Sequence, residues 1–147
     1  MEIAILALGC FWGPEITFSK LDGVIKTEVG YCGGNTQTTS YKEVCSGNTN
    51  HAEVVKVDFD EKIISYEKIL DTFFKIHDPT TLNSQGPDFG TQYRSEIFYL
   101  NKNQKEIAEK ILKEVDQRLS NKAVTKISLV KNYCPAEEFH QKYLEKR

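Results

Sequence analysis

The apolar run near the N-terminus, and the motif that ends it, constrain the fold most. Residues Ile3 to Leu8 are continuously apolar, which predicts a strand buried on both faces of a sheet. The run ends in Gly-Cys-Phe-Trp-Gly (9–13), and Pro14 and Glu15 then suit the first turn of a helix. The sequence therefore places a thiol, Cys10, at a junction between a strand and a helix.

A cysteine at such a junction has two interpretations. The unpaired N–H groups at a helix start favour thiolate over thiol, and the rings of Phe11 and Trp12 would supply an apolar wall. Together these features indicate a nucleophile that faces a substrate with a small apolar group. Alternatively, Cys10 is a small buried hydrophobic residue, the more common role of a cysteine. Its position alone favours neither interpretation.

The composition is typical of one globular domain, which we expect to span residues 1–147. The chain is 39% hydrophobic with a formal net charge of −2, so its charge gives no reason to expect nucleic acid or an anionic membrane as partner. No apolar run approaches the ~20 residues needed to cross a bilayer, and the first strand lacks the basic flank of a signal peptide. We therefore expect a cytoplasmic monomer.

The four cysteines, Cys10, Cys32, Cys45 and Cys134, have no spacing typical of a zinc site. Two disulfides are conceivable, but a reducing compartment and an adequate hydrophobic core argue against them. Free thiols with redox chemistry, and no bound metal, fit this pattern better.

Hydrophobic periodicity predicts alternating strands and helices. Further strands are expected at 24–31, 51–60, 94–100 and 124–130, and helices at 66–77 with Ser65 as N-cap, at 103–119 and at 136–146. Residues 32–50 and 78–90 are predicted to be long loops, which are often functional. The order contains the split βαβ pattern. We therefore predict an α+β fold, a ferredoxin-like α/β sandwich with a mixed central sheet, helices on one face and active-site loops that converge at one end.

Two other segments hold polar side chains that could contribute to a site. The segment YKEVCSGNTNHAEVV (41–55) places Glu53 at the start of an apolar strand, and GPDFGTQYRS (86–95) contains Asp88 and Tyr93. Considered singly, Glu53 is more commonly a solvated carboxylate, a tyrosine is often a packing residue, and Asp88 is usually a turn former.

Considered together, the segments resemble the A class of peptide methionine sulfoxide reductases, which acts on the S epimer of the sulfoxide. The matching segments are GCFWG (9–13), GYCGG (30–34), Tyr41 with CSGNTNHAEVV (45–55), HDPTT (77–81), LNSQGPDFGTQYRS (82–95) and PAEEFHQKYL (135–144). They follow the family's order and cover nearly the whole chain. The resemblance implies a catalytic domain that reduces methionine sulfoxide, free or in proteins, and so repairs proteins after oxidative stress.

The resemblance also implies which groups react. Cys10 would attack the sulfoxide sulfur and become a sulfenic acid, while Glu53, as a neutral carboxylic acid, would protonate the departing oxygen. Tyr41 and Tyr93 would donate hydrogen bonds to that oxygen. A glutamate placed against aromatic rings is desolvated, which would raise its pKa and keep it protonated near neutral pH.

The same resemblance implies the surroundings of the reacting groups. Phe11 and Trp12 would form the pocket for the S-methyl group, and Asp88 would support the polar network through water. His51, His77 and His140 are interpreted as loop and scaffold residues. We expect no bound cofactor, and an external thiol reductant such as thioredoxin or dithiothreitol.

The return of the sulfenic acid to a thiol is left open by the sequence. Family members commonly use a second cysteine in a glycine-rich C-terminal tail, and this chain departs from that pattern because it stops at Arg147. As the resolving cysteine we favour Cys134, then Cys32, and interpret Cys45 as structural. Direct reduction of Cys10 by an external thiol, with no resolving cysteine, is the third possibility.

Two other functions compete with this one. A thiol peroxidase-like enzyme would need the Cys10 thiolate, but neither a methyl-sized aromatic pocket nor a carboxylic acid. A non-enzymatic cysteine redox sensor would tolerate the loss of Glu53 and Tyr93. An assay for reduction of a sulfoxide distinguishes the three.

Overall fold

The N-terminal apolar run forms a central strand of a mixed sheet. The computed structural model describes residues 2–143. Its strands are β1 (Glu2–Leu8), β2 (Val24–Cys32), β3 (Ala52–Phe59), β4 (Ser84–Gln85), β5 (Asp88–Phe89), β6 (Ser95–Tyr99), β7 (Lys126–Leu129) and β8 (Cys134–Pro135). Six of them form one sheet in the order β7-β6-β1-β3-β2-β8, and β4 pairs with β5. Strands β6 and β7 run parallel, and the other neighbours in the sheet are antiparallel.

Side-chain caps determine where three of the helices begin. The α-helices in the described range are α1 (Trp12–Ser19), α2 (Tyr41–Cys45), α3 (Tyr66–Lys75) and α4 (Lys102–Arg118). Ser40, Ser65 and Asn101 accept hydrogen bonds from the N–H groups of the first turns of α2, α3 and α4. The prediction of an unbroken loop over residues 32–50 is therefore wrong at α2, where the Ser40 cap starts a short helix.

The two faces of the sheet bury different apolar sets. Leu6 and Val55 point into the larger cluster, where Phe18 of α1 and residues of α3 and α4 cover the sheet. Ile5 and Val54 point the opposite way, into a smaller cluster. Burial on both faces explains why β1 is apolar at successive positions. The predicted α+β sandwich with a mixed sheet and helices on one face is confirmed.

The predicted helix over residues 136–146 is wrong as far as the structure describes it. The segment contains a single 3₁₀ turn at Glu138–His140, and Lys142 has a φ of +53°, which no right-handed helix tolerates. The Gln141 side chain bonds both the N–H and the C=O of Val29, so it continues the pairing at the edge of β2 instead. Residues 144–146 lie outside the described part.

The long loops meet at one end of the sheet, as predicted. Because β1 is antiparallel to β3 and β6, its C-terminal end lies beside their N-terminal ends, where the loops after β2 and before β6 also arrive. Glu53, Tyr31 and Cys134 face one another in a single row across β3, β2 and β8. The C-terminal segment is thereby attached to the same end of the sheet.

The pairing of β2 with β8 requires a glycine at position 30. A Cβ on Gly30 would lie 2.7 Å from the Cys134 carbonyl oxygen and 2.8 Å from the Tyr133 ring. We expect Gly30→Ala to lower the free energy of unfolding by about 1–3 kcal/mol, measured by urea denaturation. Gly13→Ala is the matched control, because its Cβ would meet no atom within 4 Å. Equal stability of the two variants would contradict the prediction.

Candidate active site

The chain turns sharply between β1 and α1, and this turn presents Cys10. Gly9 has a φ of +98°, and a Cβ there would lie 2.9 Å from the Gln85 side chain. A glycine is therefore needed at position 9, both for the backbone conformation and for the close approach of the loop. Phe11 is the N-cap residue of α1 and is buried, whereas Cys10 keeps part of its surface exposed.

Glu53 lies on β3 and is 1% exposed. Its Oε1 accepts a hydrogen bond from the N–H of Phe11 at 3.3 Å, whereas Oε2 is buried without a hydrogen-bond partner among the described residues. Burial raises the pKa of this carboxyl group from 4.5 to about 8, although the Phe11 N–H opposes the shift. Glu53 is thus a neutral acid at pH 7. Since Oε1 is the acceptor, its proton belongs on Oε2.

The thiol of Cys10 is also neutral in the free protein. Burial raises its pKa to about 11, and the nearby charges of Glu53 and Asp88 act in the same direction. A hydrogen bond from the Trp12 backbone N–H opposes this rise, as expected at a helix start. The expectation that the helix start favours thiolate is therefore wrong for the free protein, because desolvation outweighs the helix contribution.

Two tyrosine hydroxyls interact electrostatically with Glu53. Tyr41 is the first residue of α2, and Tyr93 ends a 3₁₀ turn, Thr91–Tyr93. Burial raises the pKa of both hydroxyls, that of Tyr93 to about 12, and the charge of Glu53 also contributes to each rise. Both groups remain hydrogen-bond donors at neutral pH. Asp88 of β5 acts on Cys10, Glu53 and Tyr93 through its charge.

An aromatic cluster forms one side of the site. The Trp12 ring stacks on Tyr143 with centroids 3.9 Å apart, and the Phe11 ring lies 5.8 Å from that of Tyr31. The Trp12 indole N–H donates a hydrogen bond to Nδ1 of His140 at 3.2 Å. Phe11 and Trp12, predicted to form an apolar pocket, thus belong to one connected group of rings.

The other cysteines occupy three different environments. Cys32 is fully buried in the smaller apolar cluster, on the sheet face opposite Glu53, where its thiol donates to the carbonyl of Lys131. Cys134 shares the face of Glu53, two strand spacings or about 10 Å away, and is partly exposed. Burial raises the pKa of Cys45, the hydroxyls of Tyr41 and Tyr93 oppose this rise, and Cys45 acts electrostatically on Cys10.

Sequence reasoning missed two residues of this site. Cys45 is interpreted from the sequence as structural, yet the hydroxyls of Tyr41 and Tyr93 both act on the pKa of its thiol. Glu137 accepts the Tyr31 hydroxyl at 2.8 Å and the Tyr41 backbone N–H at 3.0 Å, so it ties the C-terminal segment to α2. The spacing of Tyr41 and Cys45, i and i+4, would have placed them on one face of α2 had that helix been predicted.

The remaining histidines lie in the scaffold. His77 bonds the carbonyl of Phe73 and the Ser95 hydroxyl, and burial lowers its pKa to about 4. His51 is fully buried against Gly34. Among residues 2–143, no three His, Cys, Asp or Glu side chains are arranged to hold a metal ion. No helix in that range has the length and apolar character needed to span a bilayer.

Comparison with known proteins identifies strong similarities. A family model described as "Peptide methionine sulfoxide reductase" matches residues 2–147. "Peptide methionine sulfoxide reductase MsrA" of Pelagibacter ubique is 78% identical over 147 residues, which cover 100% of both chains.

Solved structures agree with this result. The crystal structure of reduced Mxr1 from Saccharomyces cerevisiae has a TM-score of 0.94 at 43% identity, over 99% of this chain and 85% of Mxr1. Mxr1 in complex with Trx2 has a TM-score of 0.69 at 29% identity, over 97% of this chain and 84% of Mxr1.

The raised pKa of Glu53 predicts a specific pH dependence of stability. Between pH 4.5 and 8 the folded protein retains a proton that the unfolded chain has lost, so its stability falls as pH rises through this window. Glu53→Gln cannot titrate. The free energy of unfolding of Glu53→Gln, minus that of the wild type, should therefore increase between pH 5 and pH 8 by more than about 1.4 kcal/mol, the equivalent of one pKa unit. Urea denaturation of both proteins measures this difference. A difference that does not change with pH would mean that Glu53 ionises near its ordinary value.

Proposed function

Because the chain belongs to the peptide methionine sulfoxide reductase family, we propose that Cys10 and Glu53 are its nucleophile and its proton donor. The protein reduces methionine sulfoxide to methionine and so repairs oxidised proteins. The observation that carries the assignment is the buried Glu53 carboxyl group, neutral at pH 7, with Oε2 free of any partner among the described residues. Because no described protein atom accepts a hydrogen bond from Oε2, its proton is available to a bound substrate.

The proposed reaction conserves atoms, electrons and protons. The Cys10 sulfur attacks the sulfoxide sulfur while Glu53 Oε2–H protonates the sulfoxide oxygen. The resulting Glu53 carboxylate takes the proton that the thiol loses, so the acid is regenerated. The attack forms an S–S bond between Cys10 and the substrate. As the protonated oxygen passes to Cys10, this S–S bond and the S–O bond of the substrate both break, which releases the thioether. The thiol is oxidised to a sulfenic acid, and the sulfoxide is reduced to a thioether.

Two neutral groups in the resting site support this relay. A Cys10 pKa of about 11 means that little thiolate exists at pH 7 before substrate binds. The high pKa of the thiol is in part caused by the charge of Glu53, so Cys10 and Glu53 titrate as a coupled pair. Transfer of the thiol proton to the Glu53 carboxylate removes this charge, so the thiolate forms beside a neutral acid.

Tyr41, Tyr93 and Asp88 are proposed to act on the sulfoxide oxygen and the acid. The two hydroxyls remain donors over the whole neutral range, and the charge that Glu53 acquires when it ionises acts on both. They would hold the oxygen as negative charge develops on it. Asp88 would maintain the polar network and, through its charge, favour the neutral form of Glu53.

The proposed pocket also accounts for selection of one epimer. The sulfoxide sulfur is a stereocentre, and the site offers three different neighbours: the Cys10 thiol, the hydroxyls of Tyr41 and Tyr93, and the Phe11–Trp12 wall. If the methyl group rests on the wall and the oxygen on the hydroxyls, one epimer leaves the remaining substituent directed outward. We assign that epimer as S, in agreement with the A class.

A dithiol protein is the proposed reductant. Mxr1, which shares this fold, has been solved in complex with Trx2, and this supports a thioredoxin-like partner for this chain. No prosthetic group takes part in the proposed cycle. The four free thiols suit a reducing compartment such as the cytoplasm.

Cys134 is proposed to resolve the sulfenic acid ahead of Cys32. Its face of the sheet, its exposure and its place on a two-residue edge strand support this choice, because a short edge strand can move. Cys32 would have to leave a packed core. Cys45, beside the tyrosines, is the competing thiol.

Replacement of the acid tests the proposed mechanism. Glu53→Gln should lower kcat for the S epimer of N-acetyl-methionine sulfoxide by about 10²–10⁴-fold, because it removes the proton donor. Methionine formation in the presence of dithiothreitol measures the effect. Cys10→Ser should have no activity. A near-wild-type rate for Glu53→Gln would exclude the residue, and peroxide consumption without sulfoxide reduction would indicate a thiol peroxidase.

Peptide mapping after one turnover without reductant identifies the resolving thiol. We expect a Cys10–Cys134 disulfide and one equivalent of methionine. Cys134→Ser should instead retain the sulfenic acid, trapped with dimedone, with Cys32→Ser as the matched control. A Cys10–Cys45 disulfide, or a stable sulfenic acid in the wild type, would contradict the assignment.

A further inference from the structure

We propose that His140 is a positioning residue for the substrate pocket, which as a neutral imidazole fixes the rings of Trp12, Phe11 and Tyr41 and releases them when it is protonated. The inference rests on the proposed function for its effect on substrate. The contacts between His140 and the rings do not depend on that function.

His140 lies at the centre of the aromatic cluster. It is 2% exposed, and its ring centroid lies 4.5 Å from Tyr41, 5.5 Å from Phe11 and 5.7 Å from Trp12. It therefore touches two rings proposed to hold the methyl group and one proposed to hold the oxygen. No other imidazole in the described residues contacts these three rings.

The hydrogen bond with Trp12 determines the tautomer of His140. An indole N–H can only donate, so Nδ1 of His140 must accept, and the proton of the neutral ring lies on Nε2. Protonation of Nδ1 would place an imidazole N–H donor opposite the indole N–H donor of Trp12 and break this hydrogen bond. Nε2 is buried without a partner among the described residues, so the cation would also be poorly solvated.

The charges around His140 come from few groups. Of the elements packed against it, the start of α1 contributes the uncharged Trp12 and the N-cap residue Phe11, and α2 contributes the hydroxyl of Tyr41. Glu137, in its own segment, is the charged group that acts on it. Burial lowers the pKa of His140, and Glu137 opposes the change only in part. The ring is therefore neutral at pH 7.

The segment that carries His140 is anchored on both sides. Glu137 binds Tyr31 and the backbone of Tyr41, and the N–H of Lys142 donates to the buried Glu15 of α1 at 2.7 Å. The position of the imidazole relative to Trp12 is thus set by bonds that do not involve substrate. A change in the charge of His140 then acts on the rings and leaves the segment attached.

Trp12 is the only tryptophan, so its fluorescence reports this contact directly. A protonated imidazole quenches an adjacent indole. The experiment titrates the fluorescence of the wild type, His140→Asn and His140→Leu from pH 4.5 to 7.5. It also measures kcat and KM for the S epimer of N-acetyl-methionine sulfoxide at each pH. The asparagine Oδ1 can replace Nδ1 as acceptor but does not titrate.

As the pH falls, we expect the wild type to show one fluorescence transition below pH 6.5. Its KM should rise about fivefold through the same transition, as loss of one hydrogen bond would give. His140→Asn should lack both transitions and keep a KM near that of the wild type at pH 7.5. His140→Leu should lack the transitions and have a raised KM at every pH. A low KM that is kept in His140→Asn and lost in His140→Leu would show that His140 acts by accepting the Trp12 N–H and not by packing alone.

Two results would overturn the proposal: a fluorescence transition that persists in His140→Asn, or a KM unaffected while the fluorescence titrates. If His140→Leu does not fold, the comparison of the wild type with His140→Asn still decides. Failure of the proposed function has a different signature, namely a wild type that forms no methionine or a fully active Glu53→Gln. The fluorescence transition would then remain.

Discussion

The site depends on one buried hydrogen bond, which the Phe11 N–H donates to Glu53. It joins the start of α1 to β3 and leaves one carboxyl oxygen without a partner among the described residues. One backbone donor does not compensate for the desolvation of a carboxylate, so the group remains protonated near neutral pH. A buried glutamate that lowers the stability of the fold at high pH is thereby kept as an acid.

Burial keeps Glu53 in its reactive, protonated form, but it keeps the Cys10 thiol in its unreactive, protonated form. An enzyme that attacks with sulfur benefits from thiolate, yet desolvation and the neighbouring carboxyl groups raise the pKa of Cys10 to about 11. A neutral thiol reacts slowly with peroxide and alkylating agents, because the thiolate is the nucleophile. The resting site would therefore be protected. The proton transfers that accompany substrate binding would then make the sulfur reactive only where a sulfoxide oxygen can accept a proton.

Much of the fold could be predicted from local patterns, and the errors share one cause. The β1 run, the Ser65 cap and the stripe of α4 depend on neighbours in sequence, and each appears close to its predicted bounds. The predicted C-terminal helix does not form as far as residue 143, where the described part ends, because Gln141 and Lys142 bond partners more than 100 residues away. The prediction that the helix start makes Cys10 a thiolate is wrong for the same reason. A helix start is visible in sequence, but the depth of burial that opposes it is not.

The ends of the chain build the site together. Trp12 follows the first strand, and the rings that hold it, His140 and Tyr143, lie about 130 residues later. A contact of such sequence separation forms only when the intervening sheet has assembled, because closing a long loop has an entropic cost that β2 and β8 must offset by pairing. A partly folded chain would thus carry the Cys10 thiol without a complete aromatic pocket. Loss of the β2–β8 pairing should therefore impair substrate binding before it abolishes the core.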